Sequence, residues 1–225
     1  MSKKIKLLIV DDHQLIIEGI LSSLKKIDHL EVETSKSCDD AFFKIKTNQH
    51  NAPFDILFTD LSFDNTTYDT ILNDGESLIK KINEEKIPIK IGIITGHSET
   101  NRIYNVIHNL NPSAYILKSK CDSAELNFAI QKIIANETYY SHEIHNKLLK
   151  RAIVLIQMDD IATQILKELR KHPKISNLEG LILKSDGSPI KLRAIESKLA
   201  KLRIDLDANN NTDLVLKAIE LGLID

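Results

Sequence analysis

Cysteine is scarce: the 225 residues hold only Cys38 and Cys121. The two lack C-x-x-C spacing and sit in apolar or helical text, so both read as reduced structural thiols. Long apolar runs are missing as well. No stretch approaches the roughly 18 consecutive apolar residues of a membrane span. The opening residues run at once into a strand and an acidic pair, which is not the pattern of a signal peptide. A cytoplasmic protein with no membrane partner is therefore expected. Nor does either sign of charge dominate. The formal net charge is -2, with 18 Lys+Arg against 21 Asp+Glu through residue 150 and 12 against 11 after it. Bulk charge thus excludes polyanion binding through the molecule as a whole, and a nucleic-acid surface has to come from local clustering. Internal repeats are absent. Asn209-Asn210-Asn211 is the one low-complexity patch, and it reads as a turn.

What is present is enough apolar residue, 42% of the chain, to build two small domains. Residues 5–10 form a short apolar run ending in Asp11-Asp12, which reads as a buried parallel strand. Leu15, Ile16, Ile20, Leu21 and Leu24 then recur at helical spacing. The alternation repeats, with strands expected near 30–34, 54–59, 89–95 and 114–117. Helices are expected near 38–48, 75–84, 99–109 and 122–135. Five strands alternating with five helices predict an α/β fold, a doubly wound five-stranded parallel sheet with helices on both faces. After about residue 137 strand runs vanish. Residues 142–156 read as a connecting helix, followed by helices near 159–171, 176–184, 188–203 and 211–221. The expected division is a first domain over 1–137, a helical linker over 138–157 and a small all-α domain over 158–225.

In such a sheet ligands bind at the carboxyl ends of the strands. Asp11 and Asp12 end the first strand, Asp60 the third, Thr95 the fourth and Lys118 the fifth. Clustered carboxylates repel one another, and a hard divalent cation such as Mg²⁺ relieves that while accepting oxygen ligands. Asp60 is then placed to act as a carboxylate nucleophile giving an aspartyl phosphate. Lys118 can pair with developing phosphoryl charge, and the Thr95 hydroxyl can bond a phosphoryl oxygen. Any one strand-terminal Asp is commonly just a helix cap. Five such residues together are not explained by capping.

The motifs Ile9-Val10-Asp11-Asp12-His13, Asp60-Leu61, Asp74-Gly75, Ile94-Thr95-Gly96-His97 and Ala114-Tyr115-Ile116-Leu117-Lys118 fall in this order. Through them residues 4–136 resemble the receiver domain of bacterial two-component response regulators, with a CheY-like, flavodoxin-like fold. The resemblance implies Asp60 as phosphoacceptor. It implies Mg²⁺ held by Asp12, Asp60 and the backbone carbonyl of Ser62, with Asp11 assisting. It implies Thr95 and Tyr115 as a switch pair that signals phosphorylation to the face built by the fourth helix, fifth strand and fifth helix. Two departures stand out. The loop from Asp60 to Gly75 is longer than the family pattern and lacks its usual proline, so the extra residues from Phe63 to Asn73 pass beside the site. Ser119 follows Lys118 where many receivers have proline.

Residues 158–225 resemble the helix-turn-helix output domain of LuxR/NarL-type regulators, most clearly from Thr212 to Ile224. The expected recognition helix is 188–203, with Ser188 as cap and Pro189 at its first position. Leu192, Ile195, Leu199 and Leu202 form its inward stripe. Lys191, Arg193, Ser197, Lys198 and Lys201 are the expected DNA contacts, suited to a phosphate backbone. This half departs further from its family. Ile161 and Ala162 replace an Arg-Glu pair, Gly180 lies in the expected second helix, and Lys191 and Lys198 stand where apolar residues are usual.

The resemblance implies a response regulator phosphorylated by a sensor histidine kinase, dimerising on phosphorylation and regulating transcription on DNA. It is not a metabolic enzyme. The alternative is a signalling adaptor whose helix-turn-helix binds protein. A phosphatase of the haloacid dehalogenase kind does not fit, because its two acids share the first strand as Asp-x-Asp.

Overall fold

The computed structural model describes residues 4–25, 27–64 and 70–224. Strands β1 (Ile5–Val10), β2 (Leu30–Ser35), β3 (Ile56–Thr59), β4 (Lys90–Thr95) and β5 (Ala114–Leu117) alternate with helices α1 (Gln14–Leu24), α2 (Cys38–Asn48), α3 (Gly75–Glu84), α4 (Thr100–Leu110) and α5 (Ser123–Ile134). A sixth, two-residue strand, β6 (Tyr139–Tyr140), follows. The sheet order is β2-β1-β3-β4-β5-β6 and every pairing is parallel. The order reverses beside β1, and that reversal opens a crevice at the carboxyl ends of β1 and β3. Leu7, Ile9, Phe58 and Ile116 pack with Leu24 of α1 and Leu126 and Ile130 of α5. Leu8, Leu57 and Ile93, alternate along the strands, are fully buried too. Both faces of the sheet are therefore covered, which is why β3 and β5 and most of β1 and β4 read as apolar runs, whereas the edge strand β2 carries Glu31 and Glu33.

The expected five-stranded sheet is thus extended by β6, which lies inside the stretch read as linker. The chain divides into two compact units. One runs to Ser98 and resumes over Asn105–His145; the other takes Glu99–Tyr104 and continues from Asn146. Helix α6 (His142–Gln157) opens the segment between β6 and the helices that follow.

The second unit contains α7 (Asp160–Lys171), a 3-10 turn over Ile175–Leu178, α8 (Leu192–Asp205) and α9 (Asn211–Glu220). Ile165, Leu166, Leu178, Ile182, Ile195, Leu199, Leu202 and Leu214 form its core. Two expectations fail here. The helix expected over 176–184 is only that 3-10 turn, and Gly180 sits at φ +80 in the turn after it. That left-handed conformation suits glycine, and its helix-breaking tendency decides the local structure. The expected start of the recognition helix fails as well. Pro189 bridges Leu183 in an antiparallel pair, Ser188 bonds Asp186 across the turn, and Lys191 is the residue that precedes α8. Among the described residues no helix is long and apolar enough to cross a membrane.

Candidate functional site

The parallel register carries three acidic groups and one lysine to the same edge. Lys118 Nζ lies 2.6 Å from Asp11 Oδ2 and 2.8 Å from Asp60 Oδ2. Asp11 and Asp60 are buried. Asp11 Oδ1 accepts from the His13 amide at 2.9 Å, and Asp60 Oδ1 accepts from the Leu61 amide at 2.6 Å. Burial alone would pull the Lys118 ammonium down, but its bonds to Asp11 and Asp60 outweigh this and hold its pKa above the ordinary value. Lys118 therefore stays a cation, shared by two carboxylates.

Asp12 joins from the adjacent position. Its Oδ1 is 2.7 Å from His13 Nδ1, and its Oδ2 accepts from the Asp64 amide at 2.7 Å. The negative charge of Asp12, and then its hydrogen bond, raise the His13 pKa. Ligand atoms of Asp11, Asp12 and His13 lie within 4.8 Å of one another. Three carboxylates thus face one permanent cation, and their oxygens are hard donors. That surplus of negative charge fits a divalent cation of the Mg²⁺ type.

Thr95 is fully buried at the end of β4, and its Oγ1 accepts from the His97 amide at 3.4 Å. Tyr115 is fully buried in β5, and its hydroxyl donates to the His97 carbonyl at 3.4 Å. His97 Nε2 is also 2.6 Å from Ser62 Oγ. His97 therefore touches the loop that carries Asp60 and both residues of the expected switch pair. The sequence motif contains it, but nothing in the motif assigns it that role.

Asp39, in the first turn of α2, was not singled out by sequence either. Its two carboxylate oxygens accept from the amides of Ile71 and Leu72, each at 3.0 Å, and so fix the far end of the long loop. Residues 65–69 of that loop lie outside the described residues. Gly75 belongs to the Asp74-Gly75 motif, which by itself assigns it no role. A Cβ there would lie 1.8 Å from the Asp60 carbonyl oxygen, so only glycine lets α3 start directly under the acceptor. The two thiols sit apart from this chemistry. Burial first, then nearby carboxylates, push Cys38 and Cys121 up to about 12.

In the second unit Ile195, Leu199 and Leu202 are buried along α8, Leu206 is buried just past its end, and Leu192 is half-buried. Lys191, Arg193, Ser197 and Lys201 are exposed. Lys198, expected among the DNA contacts, is half-buried and ion-paired with Asp159. Asp159 caps α7 by accepting from the Ala162 amide at 2.8 Å. The Lys198 hydrogen bond holds the Asp159 carboxyl below its ordinary value of 3.8. A depressed carboxyl stabilises the fold fully above its unfolded pKa, and that contribution is lost as pH falls through the folded value. Asp159→Asn keeps a capping oxygen and loses the ion pair. It should lower stability by about 0.2–1 kcal/mol at neutral pH, the range for a solvent-accessible pair. The deficit should shrink as pH falls below the ordinary carboxyl value of 3.8 and through the lower folded value, in denaturation curves followed by circular dichroism. A deficit that persists unchanged in acid would contradict the pairing.

The family described as the response regulator receiver domain matches residues 7–131. The response regulator protein VraR of Staphylococcus saprophyticus is 25% identical over 225 residues, covering 98% of this chain and 99% of its own. VraR of Staphylococcus aureus is 24% identical with the same coverage. Among solved structures, the RcsB response regulator of Salmonella typhimurium superposes with a TM-score of 0.64 at 18% identity, covering 99% of this chain and 100% of that one. A structure of two RcsB dimers bound to two parallel DNAs gives 0.60 at 19% identity, covering 97% and 99%. The structural likeness reaches the fold. The family match spans more than half the chain and includes Asp11, Asp12, Asp60, Thr95, Tyr115 and Lys118. On this evidence the chain belongs to the response regulator receiver domain family.

Proposed function

We propose that Asp60 accepts a phosphoryl group from a sensor histidine kinase and that the phosphorylated protein dimerises and regulates transcription through its second unit. The observation that carries this reading is the single Lys118 ammonium held between Asp11 and Asp60. The Leu61 amide fixes Asp60 Oδ1, and Oδ2, turned toward Lys118, is the oxygen that meets phosphorus. As the new P–O bond forms, the P–N bond to the donor imidazole breaks and that imidazole takes up a proton. Lys118 then pairs with a phosphoryl oxygen, and the Thr95 hydroxyl donates to another. Asp11, Asp12, Asp60 and the Ser62 carbonyl would hold a Mg²⁺ ion, which when bound would supply positive charge against the repulsion among the carboxylates and the phosphoryl oxygens. We place the protein in the cytoplasm, where such a kinase domain would meet it.

For the second unit, the exposed Lys191, Arg193 and Lys201 of the α8 region are the cations we assign to a DNA backbone. RcsB, similar along nearly the whole chain, has been solved on DNA. One observation favours the adaptor reading instead: the 3-10 turn and short hairpin that stand where a helix-turn-helix has its second helix. A gel-shift titration over genomic fragments, with and without acetyl phosphate, separates the two. Each phosphate contact releases counterions, so affinity should fall steeply with salt. Removing one contacting cation should reduce the slope of log affinity against log salt by roughly one unit. The triple change Lys191→Ala, Arg193→Ala, Lys201→Ala leaves the buried stripe of Ile195, Leu199 and Leu202 untouched and should stay folded. Absence of any DNA affinity in the native chain at low salt, phosphorylated or not, would hand the unit to the adaptor reading.

A further inference from the structure

Strand β5 has β4 on one side and β6 on the other, and the β6 side is where the chain leaves the sheet for α6. The pairing is short. Ala114 stands opposite Tyr139 and Tyr115 opposite Tyr140. The Tyr139 amide donates to the Ser113 carbonyl at 2.9 Å, and the Ser141 amide donates to the Tyr115 carbonyl at 3.1 Å. These two bonds are not equally secured. Around the first, the Tyr139 ring meets Phe128 of α5 edge-on at 5.3 Å between centroids. Glu137 pairs with Lys132 of α5 at 2.6 Å. Around the second, Ser141 is buried, its hydroxyl has no hydrogen-bond partner among the described residues, and the next residue opens α6.

Tyr115 therefore works in two directions. Its hydroxyl reaches the loop after β4, on the His97 carbonyl, while its main-chain carbonyl holds Ser141. A fully buried ring in a close-packed sheet cannot reorient without its backbone and neighbours giving way. The main-chain bond that a two-residue strand hangs on is the weakest thing nearby, because so short a ladder has little cooperativity of its own. The helix that starts at His142 is 16 residues long. A displacement of its first turn is carried along its length, since its internal hydrogen bonds keep it stiff.

We propose that the β5–β6 ladder is the main-chain route by which the state of Asp60 reaches α6, with the Ser141 amide on the Tyr115 carbonyl as its moving joint and Tyr139 on α5 as its fixed post. This rests on Asp60 being the phosphoacceptor. Tyr115 senses, through His97, the loop that closes on the phosphoryl group; Ser141 follows Tyr115; α6 follows Ser141.

Residue-resolved amide hydrogen exchange on the full chain tests this, with Mg²⁺ present and with or without acetyl phosphate. The mass of the intact protein reports the acceptor step separately. Once the phosphoryl mass appears, exchange at Ser141 should change by about tenfold or more, the scale on which a local opening differs from a closed ladder. The Tyr139 amide should change far less. Unchanged protection at Ser141 in the phosphorylated chain would overturn the proposal. Failure to gain the phosphoryl mass at all would overturn the acceptor reading and this one with it. Two variants give a second reading. Ser141→Pro deletes the N–H, and its fixed φ is compatible with a residue that leads into a helix. Ser141→Ala keeps the N–H and removes only the hydroxyl. Both should be phosphorylated at the native rate. The phosphorylation-dependent change in exchange along residues 142–157 should vanish in the Pro variant and survive in the Ala variant. The same response in both variants would overturn the joint.

Discussion

Asp60→Asn should take acid-labile phosphoryl incorporation from acetyl phosphate to zero, and Lys118→Met should slow it by about 10²–10³-fold, the usual cost of losing one group that stabilises transition-state charge. An amide is no nucleophile, so the first effect is absolute. The second is graded, because Mg²⁺ and Thr95 remain. The two changes should act oppositely on stability. Asp60→Asn removes one of three crowded carboxylates and leaves Lys118 paired with Asp11 at 2.6 Å. Lys118→Met strands two buried carboxylates with no permanent cation. Breaking a buried pair from one side costs about 3–5 kcal/mol. Added Mg²⁺ should therefore raise the melting temperature of the Lys118→Met variant more than that of the native chain. If Lys118→Met were as stable as Asp60→Asn without the metal, the charge balance described for the site would be wrong.

Gly75→Ala should be among the most damaging single-methyl additions in the molecule. Its Cβ would fall 1.8 Å from the Asp60 carbonyl oxygen and 3.1 Å from the Leu61 Cα, both main-chain atoms. The helix start cannot easily step aside. Asp74 Oδ1 accepts from the Ser77 amide at 2.7 Å, and the Asp74 amide donates back to Ser77 Oγ at 3.2 Å. Leu78, Ile79 and Ile82 bury the rest of α3. We expect a loss of about 3 kcal/mol, the upper end of what overpacking costs, together with slower phosphorylation as the acceptor loop shifts. Gly19→Ala is the control. A Cβ at Gly19 meets nothing within 4 Å, and glycine inside a helix costs about 0.5–1 kcal/mol against alanine. That variant should melt higher than the native chain, and Gly75→Ala lower. Equal melting temperatures in the two would contradict the contact.

The receiver half could be read from sequence because its signals are local and strong. The buried strands β1, β3, β4 and β5 are mostly apolar runs, and each ends on a polar residue; one such residue could be a cap, but the set together could not. Asp11, Asp60 and Lys118 therefore announce themselves before any contact is known. Strand β6 could not be read, because two residues carry no period. Tyr139-Tyr140 becomes a strand only through pairing with β5. The second unit misled for a related reason. Apolar residues over 176–184 keep helical spacing, yet Gly180 at φ +80 and the Leu183–Pro189 bridge break it. The Lys198–Asp159 pair joins residues 39 positions apart, which spacing on one helix cannot reveal. His97 was visible as a letter in a motif, but its contacts with Ser62 and Tyr115 come from two other loops and strands.

The two cysteines have a practical consequence for anyone studying motion in this protein. Thiol-reactive probes attack the thiolate. Burial and nearby carboxylates push both Cys38 and Cys121 up to about 12, which disfavours their thiolates at neutral pH, and Cys38 is buried besides. Both natural thiols should therefore react slowly with such probes. A cysteine introduced at exposed Lys150 or Leu149 on α6 would take a fluorophore or spin label selectively, without first stripping the natural thiols from the core.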